Sequence, residues 1–248
     1  MDINKLSTEL NDILDSSQIQ DYCANGLQLA CRGEIDKLAV GVTASMEMIE
    51  KAIEIRANAL FVHHGLFWGS NIKIDRWLYE RVEMLVKNNV GVIAYHLPLD
   101  IHEDFGTAKC LADFFNITIT GKYGFMRGKW LGVTGQTDLT FSQIIEKLHE
   151  NSIEAEKVFN YGKDPIEKIA LMPGDGASFI DEAALTGATT IITGEYNGPA
   201  QYICKELGIN FIALGHEVSE SFFIDPVCKF IKEKFGIESI GLKFKYLA

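Results

Sequence analysis

The hexapeptide IDKLAV at 35–40 returns as IEKIAL at 166–171, 131 positions further along the chain. Each copy leads through a short loop into a helical pattern, MEMIEKAIEI (46–55) in the first and FIDEAALTG (179–187) in the second. An apolar strand follows each helix, ALFV (59–62) and TIIT (190–193), ending in His63-His64 and in Gly194-Glu195. Both copies then pass through a further helix and a glycine into a last strand, GVIAYH (91–96) and GINFIALGH (208–216). The first closes as His96-Leu-Pro-Leu-Asp100 and the second as His216-Glu-Val-Ser-Glu220. Short apolar runs alternating with helical periodicity argue for α/β structure with strands running largely parallel. The repeat therefore predicts two related α/β lobes with mostly parallel or mixed sheets packed by helices.

The lobes are expected at 1–125 and 126–248, with the C-terminal segment packing back on the first. About sixty residues between the copies carry strand and helix signals of their own, such as WLGVTGQTDLTFSQIIEKLHE (130–150), and extend the start of the second lobe. In parallel α/β sheets ligands collect beyond the carboxyl ends of the strands. The polar endings of the repeat fall there, so a site is expected at those strand ends; the resemblance described below implies that it lies in the cleft between the lobes.

Composition narrows the class. A chain of 248 residues with 47% apolar and 10% aromatic residues can bury a sizeable core and is not disordered. No run approaches the eighteen or so apolar residues that a membrane span needs. The opening MDINKLSTELNDIL mixes acids with apolar residues and reads as an amphipathic helix, not a signal peptide, so a cytoplasmic protein is expected. The net charge of −11 argues against a whole-surface attraction to nucleic acid or anionic lipid. Five cysteines without a CxxC pair argue against a disulfide framework and a zinc ribbon.

The chemistry gathers at the strand ends. Five of the six histidines (63, 64, 96, 102 and 216) sit there, and imidazole with carboxylate suits zinc, iron, manganese, nickel or cobalt. A lone buried histidine is more often a hydrogen-bonded core residue. The set His63, His64, Asp100, His216 and Glu220 is harder to explain that way, because all five end apolar strands. Pro98 argues against a helix through 96–100, but in extended chain residues four apart still share a face. HEVSE enters a helix, where they also do. Consecutive side chains diverge in a strand, so using both His63 and His64 takes two metals or a sharp turn at Gly65. Asp100 or Glu220 can bridge such a pair. His96 and His102 are ligands, partners that orient a ligand, or loop.

Further candidates stand beside these. In PGDGASF (173–179), Gly174 and Gly176 precede a helix and can offer N–H groups to a phosphate, or simply make a tight turn. Glu195 in TGEYNG is a candidate for the same cleft. Residues 114–137 contain no acid, and Lys122, Arg127 and Lys129 lie among Tyr123, Phe125 and Trp130. Basic residues among aromatics can hold single-stranded nucleic acid, or form a loop or subunit contact.

NGLQL (25–29), VHHGLFW (62–68), HLPLD (96–100), PGDGASFIDEA, TGE and GHEVSE (215–220) occur in this order, and the chain resembles the NGG-one-interacting-factor-three-like family, also labelled GTP cyclohydrolase I type 2-like. The resemblance spans nearly the whole chain. It implies a dinuclear metal centre of two divalent ions per chain, with His63, His64, Asp100, His216 and Glu220 as ligands and Glu220 as bridge. His96 would stand in or beside the ligand shell. It also implies a homohexameric ring and a metal-dependent hydrolase for a nucleotide or related small molecule; the alternative is a ring-shaped metal-binding regulatory or nucleic-acid-binding protein without catalytic turnover. Many relatives carry a histidine in the helix after TGE, where this chain has Tyr202. GHEVSE also adds an acid, Glu217, beside the ligand histidine. The sequence offers no Lys/Arg cluster for a triphosphate beside the histidine motifs.

Overall fold

The computed structural model describes residues 1–70 and 72–244. In chain order the elements are α1 (Ile3–Ile13), β1 (Gly26–Leu29), β2 (Lys37–Thr43), α2 (Met46–Glu54), β3 (Ala59–His64), α3 (Arg76–Lys87), β4 (Gly91–Ala94), α4 (Leu97–Asp100) and α5 (Thr107–Phe114). There follow β5 (Thr118–Met126), β6 (Lys129–Gln136), α6 (Phe141–Glu150), β7 (Lys157–Phe159), β8 (Ile169–Met172), α7 (Ile180–Leu185), β9 (Thr190–Thr193), α8 (Ala200–Leu207), β10 (Asn210–Ala213), α9 (His216–Glu220), α10 (Ile224–Phe235) and β11 (Glu238–Gly241).

The chain divides into two compact units, Met1–His102 with Ile224–Phe244, and Glu103–Phe223. The boundary thus falls at 102/103 instead of 125/126, because α5 buries Leu111 and Ala112 in the same cluster as Ile169, Leu171 and Ile192 of the second sheet. Residues 245–248 of the expected second lobe lie outside the described residues.

In the first unit the sheet order is β1-β4-β3-β2-β11. Strands β11, β2, β3 and β4 run parallel and β1 pairs antiparallel with β4. In the second unit the order is β5-β6-β8-β9-β10-β7, with β8, β9 and β10 parallel and β5, β6 and β7 antiparallel. Both sheets are mixed. The repeat read from the sequence is the parallel heart of each, β2-α2-β3-α3-β4 and β8-α7-β9-α8-β10. Strands with helices on both faces read as continuous apolar runs, and β4, β8, β9 and β10 are buried throughout.

Local chemistry sets the helix ends. The Asp2 carboxylate accepts from the Asn4 and Lys5 N–H groups at 2.9 and 3.0 Å, and Ser45 Oγ accepts from Met48 N–H at 3.1 Å. Thr140 and Gln143 form a reciprocal capping box at α6. Gly208, at φ 65°, ends α8 in the left-handed region that a residue with a Cβ enters at a cost.

One expectation is corrected here. HLPLD is helical: α4 carries Pro98 in its first turn, and Asp100 N–H donates to His96 O at 3.1 Å. The first N–H groups of a helix have no partner within it, so a proline there removes nothing. Among the described residues no helix is long and apolar enough to cross a membrane.

Candidate metal centre

In the first unit β3 delivers His63, buried, and His64, half-buried, at its last two positions. His63 Nδ1 lies 3.0 Å from Tyr95 O. A carbonyl only accepts, so Nδ1 carries a proton and Nε2 is the nitrogen left to face another group. Nε2 stands 3.4 Å from Asp100 Oδ1, an oxygen that only accepts when the carboxyl is ionised. Two acceptors at this range repel unless a proton or a metal ion lies between them. Donors each about 2.0–2.2 Å from one ion stand roughly 3–3.5 Å apart, so the pair fits shared coordination.

His64 Nδ1 is 3.1 Å from Thr43 Oγ1, its neighbour across the β2–β3 register. His96 precedes α4, and its N–H donates to Asn25 Oδ1 at 2.8 Å. One ring nitrogen from each of His63, His64 and His96 lies within 4.8 Å of the others, a grouping able to hold a metal ion. The divergence expected of His63 and His64 is corrected: their ring centroids are 4.6 Å apart.

His96 Nδ1 donates to Asp21 Oδ1 at 3.0 Å. The Asp21 side chain is 2% exposed, yet it also accepts from the N–H groups of Tyr22 (2.7 Å), Cys23 (3.2 Å) and Leu97 (2.9 Å) and from Asn25 Nδ2 (3.0 Å). Burial pushes its carboxyl up, but the hydrogen bonds from His96, Asn25 and the backbone, with the His96 charge, outweigh that and hold it well below the usual carboxylate range. A carboxylate on Nδ1 fixes the tautomer and turns Nε2 toward a metal, the arrangement found behind many ligating histidines.

The second unit builds the same pairing. His216 opens α9 after Gly215, and its Nδ1 meets Glu195 Oε1 at 2.5 Å while Nε2 meets Glu220 Oε1 at 3.2 Å. The Glu220 hydrogen bond, opposed by burial and aided by Glu195, pushes the His216 imidazole up to about 9. Glu220 itself is buried, at 4% exposure. Donor chemistry in both units, imidazole plus carboxylate, suits borderline divalent ions.

Gly174 and Gly176 do not offer their N–H groups to a phosphate. Gly174 N–H donates to Ser219 Oγ at 3.0 Å and Gly176 N–H to Thr193 Oγ1 at 2.9 Å, both buried. The turn is instead a scaffold for the carboxylates. Gly174 O accepts from Glu195 N–H at 2.9 Å, and a Cβ on Gly174 would stand 2.7 Å from Glu220 Oε1. Gly194 is equally tight: its Cβ would lie 2.5 Å from Ser219 Oγ and 2.7 Å from Gly174 O. Gly194→Ala is therefore expected to destabilise the protein by about 1–3 kcal/mol, seen as a lower thermal midpoint, with weaker metal uptake as Glu195 shifts.

Tyr202 lies on α8 at 70% exposure and takes no part in the His216 network. Glu217 is half-buried on the first turn of α9. His102 stands after α4, outside the three-histidine group, with its N–H on Leu99 O. Lys122, Arg127 and Lys129 belong to the β5–β6 hairpin, whose two-residue turn is Arg127-Gly128. Among the described residues all five cysteines are free, and burial raises their thiols above the usual range. None is therefore poised as a thiolate.

Asp21 and Thr43 are not singled out by residue type or spacing, and Asn25 and Gln28 enter only as part of NGLQL. Gln28 holds the histidine turn, accepting from Leu66 N–H at 2.6 Å and donating to Ala24 O at 2.7 Å. Asp21 itself stands in a short turn-rich stretch, DYCA (21–24), that reads like any other loop.

Histidines braced by carboxylates at the carboxyl ends of parallel strands define a candidate metal-binding α/β protein. The chain belongs to the family described as Duf34/NIF3 (NGG1p interacting factor 3), whose model matches residues 1–246. It is 34% identical over 247 residues to the GTP cyclohydrolase 1 type 2 homolog of Archaeoglobus fulgidus, covering 98% of each chain. It is also 34% identical over 246 residues to the protein of the same name from Chlamydia muridarum, covering 97% of this chain and 96% of that one. Among solved structures, protein ybgI, of unknown function, is similar over the whole of both chains at 28% identity and a TM-score of 0.91. TTHA1606 from Thermus thermophilus is similar over 99% of both chains at 28% identity and a TM-score of 0.85.

Proposed function

We propose that this chain is a dinuclear metal-dependent hydrolase acting on a nucleotide or a related small molecule. Its ions would be held by His63, His64, Asp100, His216 and Glu220, with Glu220 bridging and His96 in or beside the shell. The observation that carries the reading is the doubled arrangement of a protonated Nδ1 on a hydrogen-bond acceptor and an Nε2 facing a carboxylate, at 3.4 Å in His63 and 3.2 Å in His216. Bound divalent ions supply Lewis acidity, making water acidic and stabilising charge that grows on the attacked group.

The chain's own residues do the rest. Asp21 and Glu195 hold the tautomers of His96 and His216. Glu217 or Glu195 would take a proton as general base. Electron-poor ring carbons of a purine or phosphorus centres are targets of such attack. The relatives' name points to the former, but no Lys/Arg cluster beside the motifs matches a triphosphate, and GTP itself is not assigned. The test is elemental analysis of untagged protein purified without chelator, followed by a turnover screen against nucleotides and phosphoesters. About two ions per chain are expected. No metal, even after reloading with zinc, iron and manganese, would undo the reading.

A second reading, single-stranded nucleic-acid binding, is favoured by the β5–β6 hairpin. There Phe125 and Trp130 pair at 4.8 Å and are 54% and 47% exposed, beside Lys122, Arg127 and Lys129. Changing the three basic residues to glutamine is expected to lower the salt slope of binding to a labelled oligonucleotide by about 2. An unchanged slope would discard the hairpin as the contact.

A further inference from the structure

We propose that Tyr22 and Trp68 form a stacking platform for a planar heteroaromatic ring, such as a nucleobase, beside the histidines of the first unit. The fate of such a ligand rests on the hydrolase reading; its binding does not.

Tyr22 and Trp68 are 39% and 38% exposed although both belong to tightly bonded loops. Their ring centroids are 6.3 Å apart with planes tilted by 33°. Trp68 stands edge-on to His96 at 5.0 Å and lies 5.7 Å from His64, while Tyr22 lies 5.5 Å from His96. Two aromatic residues thus border the candidate metal ligands while keeping part of their surface in solvent.

The loops that carry them are joined to each other. Cys23 and Trp68 form an antiparallel bridge, Ala24 N–H donates to Phe67 O at 3.1 Å, and Gly69 N–H donates to Tyr22 O at 2.7 Å. Tyr22 N–H is anchored on Asp21 and the Trp68 indole N–H on Gly65 O at 3.0 Å. With its indole N–H bonded inside the fold, Trp68 presents a π-surface. These hydrogen bonds tie the two loops together in the absence of a ligand, which lowers the entropy lost on binding.

The spacing also says how a ligand lies. At 6.3 Å the two rings are already at the distance of an aromatic pair, so a third ring does not fit between them and rests across their outer faces. Stacking on such a surface is open to any planar heteroaromatic ring and closed to a sugar phosphate that lacks one. A cation is the poorer match. Asp21, the carboxylate beside the pair, is buried with its oxygens taken by five donors.

The chain has three tryptophans, so Trp77→Phe with Trp130→Phe leaves Trp68 as the sole indole reporter. Its fluorescence would be titrated in the full-length chain, metal-loaded and chelator-treated, with four nucleoside monophosphates, ribose 5-phosphate and choline. Saturable quenching by at least one nucleotide is expected, with none by ribose 5-phosphate or choline. Tyr22→Ala should weaken that binding by about tenfold, and Tyr22→Phe should retain it. No quenching by any nucleotide, equal quenching by ribose 5-phosphate or choline, or unchanged affinity in a folded Tyr22→Ala variant would overturn the platform. Turnover measured on the same samples separates the two ideas. Nucleotide quenching without turnover of any nucleotide or phosphoester in the turnover screen keeps the platform and removes the hydrolase, whereas hydrolysis without quenching does the reverse.

Discussion

Glu220→Gln is expected to take the protein from about two bound ions per chain to almost none, and to abolish hydrolysis in the same step. The side chain is 6% exposed and its Oε1 lies 3.2 Å from His216 Nε2. An amide of the same shape carries no negative charge to share over two oxygens, so the bridging role proposed for Glu220 would be lost while the volume is kept. The shape-conserving change is expected to leave the fold intact, and a far-UV spectrum and thermal melt of the chelated proteins check it. His64→Ala serves as the partner variant from the other unit. Elemental analysis reads the result directly: full metal content and full turnover in Glu220→Gln would sink the dinuclear mechanism.

Asp21→Ala is expected to be the most destabilising change near the site. It removes a buried carboxylate that accepts from three backbone N–H groups, Asn25 and His96. Leaving several buried donors without their acceptor costs about 3–5 kcal/mol, or a fall in thermal midpoint of roughly 10 °C in a chain of this length. The pH dependence has a definite sign. The carboxyl is held below its unfolded value, so the stability it contributes is present above that value, about 3.9, and is lost as pH falls toward the native one. The gap between wild type and Asp21→Ala should therefore hold from about pH 7 to pH 5 and narrow below about pH 4. A gap that widens in acid would contradict it. Asp21→Asn separates the roles: it keeps the size but not the charge on His96, and metal affinity should drop by about 10–100-fold.

What is legible in the sequence is what local period and position carry. The strands that end in HH, the two H-x-x-x-D/E segments and the repeat that relates them follow from apolar runs and their polar ends. One expectation that the structure overturns, and one pair of alternatives that it decides, are also local. A proline at 98 argues against a helix, yet it stands in a first turn where no N–H is needed. The glycines of PGDG suggest anion donors, yet Ser219 and Thr193 hold their N–H groups. A residue pattern shows that an N–H lies near a turn, not that a side chain 45 positions away from Gly174 takes it.

By itself the sequence determined the alternation of strands and helices, and that histidines and acids cluster where strands end, because side-chain period and strand termination are short-range properties. Only the tertiary structure decided which acids brace which imidazoles. Asp21 reaches His96 across 75 positions and Glu195 reaches His216 across 21, so neither pairing leaves a local trace. The same holds for Tyr22 beside Trp68. Their nearness depends on a bridge between two irregular loops, Cys23 to Trp68, whose backbone hydrogen bonds carry no side-chain signature.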